Sequence, residues 1–169
     1  MKNLFTLSLI LCMYQSISAQ QTASYTTTTN AQISKQVDSL KEALAKDGYT
    51  LLKEAAMNME SEYEIPVIVP LTQVSMYQFV FIGDYSSRLY EVRMFDWQER
   101  QVIFRQKKWG EIDGNIISYT YVPQFSEFHM MKPVQVNKKK KKDLPGYVML
   151  FKKTTADATG GAVAKADLP

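Results

Sequence analysis

Residues 89–106 read LYEVRMFDWQERQVIFRQ. Up to Phe95 the side chains alternate, with Leu89, Glu91, Arg93 and Phe95 on one face and Tyr90, Val92 and Met94 on the other. A period of two is that of a β-strand. DWQER (96–100) then turns the chain, and QVIFRQ (101–106) returns it, so the stretch predicts a β-hairpin.

Outward from this hairpin the same signal repeats. MYQFVFI (76–82) is apolar on both faces and predicts a central strand, followed by a GDYSS loop at 83–87. IPVIVPL (65–71) is β-branched, but Pro66 and Pro70 push it to an edge or a strand end. Residues 49–58 alternate less well and are read as a strand, although Leu52 and Ala56 also suit a helix. C-terminal to the hairpin, EIDGN (111–115) is a turn and 116–122 alternates again. A corner follows at 123–126, then a strand over 127–136 interrupted by Pro133. Residues 137–146 predict a Lys-rich loop closed by a Pro-Gly turn, and YVMLF (147–151) the last strand.

Ile33, Val37, Leu40 and Leu44 recur at helical spacing, so 33–47 predicts one amphipathic helix ending at Asp47-Gly48. Seven or eight short strands with turn signals between them, too closely spaced for helical crossovers, predict a mainly β fold. The expected form is an antiparallel, jelly-roll-like β-sandwich with an N-terminal helix. Residues 49–153 form the expected sandwich domain. Residues 1–19 are basic, then apolar, then small, which is the layout of a signal peptide cleaved after Ala19. The apolar run there is too short to span a bilayer, and no other stretch could do so. Cys12 follows the bulky Leu11, which argues against lipidation. Residues 20–32 predict a flexible polar leader and 154–169 a disordered tail. The expected location is therefore the periplasm or outside the cell.

Three stretches resemble the bacterial pre-peptidase C-terminal domain: VPLTQVSMYQFVFIGD (69–84), LYEVRMFDWQERQVI (89–103) and ISYTYVPQFSEFHM (117–130). The resemblance is one of pattern and runs from Glu64 to Phe151. Gln73-Val74 stands where that family usually has a turn Gly, and Ser126-Glu127-Phe128 where it often has Gly-Thr-Tyr. The family's domains are β-sandwiches that accompany secreted enzymes. The resemblance thus implies a free-standing accessory module with no catalytic residues.

The residues point away from catalysis on their own account. A chain of 169 residues with one His and one Cys leaves little for nucleophilic or transition-metal chemistry. No G-x-S-x-G elbow or P-loop occurs. His129 lies between apolar neighbours in a strand and reads as structural. Glu111, Asp113, Gly114 and Asn115 read as a solvated turn, not a calcium loop, and Glu91, Asp96 and Glu99 as surface carboxylates. No metal and no cofactor are expected. A formal charge of +3 is too small to argue for specific nucleic-acid binding.

Two features remain. Lys138, Lys139, Lys140, Lys141 and Lys142 form a run that must sit in solvent, read first as a solubilising loop and alternatively as a polyanion contact. Trp97, Trp109 and Tyr85 fall in loops, the tryptophans read first as caps on the core and alternatively as ligand-stacking rings. Tyr77, Phe79, Phe81, Phe95, Phe104, Tyr119, Tyr121 and Tyr147 are expected mostly in the core. The favoured reading is an exported, non-catalytic binding or envelope-structural module with a protein partner. The alternative is a carbohydrate-binding module, which requires both tryptophans exposed on one side. A hydrolase would require a concave pocket holding His129 or two carboxylates.

Overall fold

The computed structural model describes residues 31–112 and 114–154. The signal peptide, Cys12, residues 20–30 of the leader, Asp113 and residues 155–169 of the tail lie outside the described residues. The helix α1 spans Ala31–Lys46, and eight strands follow: β1 (Tyr49–Met59), β2 (Val67–Leu71), β3 (Tyr77–Ile82), β4 (Leu89–Phe95), β5 (Gln101–Lys108), β6 (Ile116–Tyr121), β7 (Glu127–Val136) and β8 (Leu144–Lys153). They form two four-stranded sheets, in the orders β1-β8-β3-β6 and β2-β7-β4-β5. Every pairing is antiparallel. The fold is a β-sandwich with one helix, as the alternation predicts.

Three layers explain which strands are apolar on both faces. The core between the sheets holds Phe79, Phe81, Val148 and Leu150 from one side and Val69, Leu71, Val92, Met94 and Met131 from the other. Helix α1 covers the back of the first sheet, where Ile33 and Val37 meet Val80, Ile82, Met149 and Phe151. Central strands β3 and β8 therefore bury both faces. Gln36 and Asn115 exchange side-chain hydrogen bonds at 3.1 and 2.9 Å, pinning the helix to the loop before β6. Gly48 ends the helix in the left-handed region, at φ 74°. The outer face of the β2-β7-β4-β5 sheet has no such cover among the described residues.

Several expectations need correction. The helix begins at Ala31, inside the expected leader. Pro133 does not interrupt β7: at that point the strand pairs with β4 alone, because the β2 pairing stops at Met131. A missing N–H is tolerated where a strand has a free side. Pro145-Gly146 is no turn but part of β8, opposite Asn58 and Met57. A side chain at Gly146 would stand 3.0 Å from the Met59 sulfur and 3.2 Å from Met57, so the inward position there is already filled. Phe104 lies on edge strand β5 and is exposed.

The β4–β5 turn is organised by Asp96. Its carboxylate accepts from the Gln98 and Arg100 N–H groups, both at 2.9 Å, and from Arg100 Nε at 2.8 Å. Burial pulls this carboxyl upward, but the Arg100 backbone and guanidinium bonds outweigh it and hold the group below its ordinary value. A depressed carboxyl stabilises the fold above its unfolded pKa and loses that contribution as pH falls through the folded one. The melting temperature should therefore drop below roughly pH 4. In Asp96→Asn that part of the acid slope should be missing; an unchanged slope would show that the turn is not the titrating element.

Candidate functional site

The chemistry collects at one end of the sandwich, where the loop after β3 meets the loop after β7. The first loop is folded by its own side chains. The Asp84 carboxylate accepts from the Ser86 N–H at 2.7 Å and from the Ser86 hydroxyl. The Ser87 N–H donates to the Asp84 carbonyl at 3.0 Å. Beneath it the Tyr90 phenol reaches that carbonyl at 2.7 Å. Burial first, then the Asp84 charge, pushes the Tyr90 phenol far up, so it stays a protonated donor. Gly83 is required by this packing, since a Cβ there would stand 2.5 Å from the Tyr90 ring.

The second loop is tied to the first by two buried amides. Gln135, fully buried, accepts from the Asp84 N–H at 2.8 Å and the Ser87 hydroxyl at 3.2 Å, and donates to the Pro145 carbonyl at 3.0 Å. Asn137 donates from its side chain to the Ser86 carbonyl at 2.7 Å and accepts from the Lys139 N–H at 2.8 Å. Its backbone N–H donates to Ser61 Oγ at 2.9 Å, and the Ser61 N–H donates to the Lys141 carbonyl at 2.8 Å. Lys140 takes a positive φ of 47° within this turn.

The turn sorts the lysine run. Lys140 and Lys142 point to Glu62 and Glu60, at 3.9 and 3.5 Å. Lys138, Lys139 and Lys141 instead line a cleft of about 670 Å³ with Arg88, Lys108, Tyr85 and Trp109. Lys141 Nζ donates to Ser86 Oγ at 3.3 Å. The Trp109 N–H donates to the Arg88 carbonyl at 2.9 Å, which places the ring on the rim. Trp109 is 72% exposed, so it is not a core cap. Five cations and two partly exposed rings thus share one concave surface, and no described carboxylate lines it.

Trp97 is elsewhere. It sits in the β4–β5 turn at the opposite end of the hairpin, 71% exposed, with its ring centroid 6.2 Å from that of Phe128. Leu89–Phe95 has seven residues, so at about 3.3 Å per residue the two tryptophans are separated by roughly 20 Å of strand. Both are exposed, against the capping expectation, but they do not form one platform. His129 is buried, with Nε2 3.1 Å from the Tyr121 hydroxyl. Its neighbour Asp96 is engaged in its turn, and Glu91 is held by Arg93 at 2.9 Å and Gln106 at 3.1 Å. Among the described residues no three His, Cys, Asp or Glu side chains gather as a metal site, and no helix is long and apolar enough to cross a membrane. Sequence reasoning missed Arg88, Lys108, Ser86 and Asn137. An Asn directly before a lysine run is an Asx-turn signal and could have located the last of these.

No family model matches the chain, and no curated protein does. Among solved structures, AlgX of Pseudomonas aeruginosa is similar at 8% identity and TM-score 0.41, over 62% of this chain and 27% of that one. The glycosylation-associated protein Gap123 complex of Streptococcus agalactiae is similar at 12% identity and TM-score 0.35, over 70% and 43%. The CBM22-1–GH10 modules of Clostridium thermocellum xylanase 10B, complexed with xylohexaose, are similar at 10% identity and TM-score 0.33, over 69% and 28%. This chain therefore spans less than half the length of each. At these scores the likeness carries no functional argument.

Proposed function

We propose that this chain is an exported, non-catalytic binding module whose cleft takes an acidic polysaccharide. One observation carries the reading. Trp109 and Tyr85 share a cleft with Arg88, Lys108, Lys138, Lys139 and Lys141, on loops held by buried hydrogen bonds. A sugar ring offers C–H faces that stack on aromatic side chains, while its carboxylate, sulfate or phosphate groups suit lysine, a flexible point charge. Loops ordered before binding lose little entropy on binding. The protein-partner reading favoured by the sequence needs a dominant apolar patch, and this cleft is cationic and lined with hydroxyls. Nucleic acid would be expected to draw on more arginine and a broader basic surface. The accessory role implied by the pre-peptidase resemblance, and export through residues 1–19, belong to the same proposal.

The test is tryptophan fluorescence and calorimetry with acidic and neutral glycans, and a single-stranded oligonucleotide as comparator. Acidic glycans should bind and perturb Trp109 emission, with affinity falling as salt rises through the Debye-screening range. Neutral glycans should bind weakly. Preference for the oligonucleotide, or no acidic glycan binding at low salt, would overturn the proposal.

A further inference from the structure

The basic cleft opens onto the uncovered face of the β2-β7-β4-β5 sheet. Lys108, which lines the cleft, pairs with Leu89, and Leu89, Glu91, Arg93 and Phe95 share that outer face. Along this row the charges neutralise one another. Arg93 pairs with Glu64 at 3.0 Å and with Glu91 at 2.9 Å, and Lys132 pairs with Glu64 at 3.2 Å. Lys132 also stands 5.0 Å over the Phe95 ring. The row ends in an apolar notch of about 240 Å³ formed by Trp97, Phe128, Ile68 and Met130. Asp96 and Glu99 border that notch. A single surface thus runs from five cations, across a charge-paired strip, to an exposed Trp with acidic neighbours.

We infer that the ligand is a mixed polysaccharide, with isolated acidic residues among neutral ones, lying along this face from the cleft to Trp97. This rests on the acidic-polysaccharide reading of the cleft. Charge complementarity chooses the occupant. Unpaired cations gather at one end only, while Asp96 and Glu99 at the other disfavour an anion over Trp97. A neutral sugar ring suits that second platform, and a polymer charged at every residue does not. Both platforms become available only to a ligand spanning roughly 20 Å, so the second contact should act as an intramolecular event.

The experiment uses the full chain and two size-fractionated series: oligosaccharides alternating uronic acid with N-acetylhexosamine, and oligogalacturonides charged at every residue. Affinity for the alternating series should rise at least tenfold once the oligomer exceeds the length of the face. Trp97→Ala should remove that gain and leave short oligomers unaffected, with an unchanged melting temperature confirming the fold. The uniformly charged series should gain little with length. Length-independent binding that is still lost in Trp109→Ala would overturn this inference and leave the cleft standing. So would equal gains for both series. No binding of either series at any length would overturn the cleft reading and this one together.

Discussion

Reversing Lys139 and Lys141 together to Glu is expected to weaken acidic-glycan binding roughly 100-fold. An exposed ion pair is worth about 0.5–1 kcal/mol, and reversal replaces each attraction with a repulsion of similar size. Two sites then lose about 2.7 kcal/mol, which is close to two powers of ten. The salt dependence of the remaining affinity should flatten, because fewer ions are displaced or screened. Trp109→Ala should behave differently. A lost ring stack lowers affinity without changing the salt slope, since stacking on an aromatic face is not ionic in this range. Neither change should disturb folding, because the loop is held by backbone bonds from Ser61 and by Asn137, not by the lysine side chains. Binding titrations at several salt concentrations, with melting curves as controls, separate the two effects. If the double reversal shifts affinity by less than threefold, the lysines are only a solubilising loop.

The largest effect on stability is expected at Gln135. Leucine would fill the same space in Gln135→Leu, but the Asp84 N–H, the Ser87 hydroxyl and the Pro145 carbonyl would each lose their buried partner. At about 1–3 kcal/mol for each unsatisfied buried group, with the hydroxyl able to turn elsewhere, the cost is roughly 3–5 kcal/mol. That corresponds to a melting temperature lower by roughly 10–15 °C for a domain of this size. Hydrogen exchange should quicken most at Asp84 and Ser87, the amides that Gln135 and its loop hold in place, and binding should weaken with it. A shift of only a few degrees would show that the two loops are ordered independently of this residue.

Much of the fold was legible because alternation is a local property. The 89–106 hairpin is a period-two pattern broken by an Asp-led turn, and both parts survive in the structure because neighbouring strands only add to what the pattern favours. The double-faced apolar reading of 76–82 likewise identified a central strand. Reading failed where a residue's local habit is overridden by its neighbours. Pro145-Gly146 is usually a turn signal, but Met57 and Met59 leave only enough room for a Gly, so β8 runs straight through it. Pro133 is tolerated because β7 has a free side at that point.

The candidate site divides the same way. The residues themselves announced exposed chemistry: a lysine run that repels itself, two tryptophans and a tyrosine in turns, and too little His or Cys for most catalysis. No local pattern could say which of them meet. The seven residues of β4 carry Trp97 and Trp109 to opposite ends of one hairpin, and two buried amides from β7 and the loop after it bring Tyr85 to the lysines. A β-turn at Asn137 then sends Lys140 and Lys142 to glutamates and leaves three lysines in the cleft. The chain alone determined its β-sandwich and its candidate residues, because periodicity and burial act between neighbours in sequence. Only the tertiary structure decided the site, because pairings such as Asn137 with Ser86 and Ser61 join residues 51 and 76 positions apart.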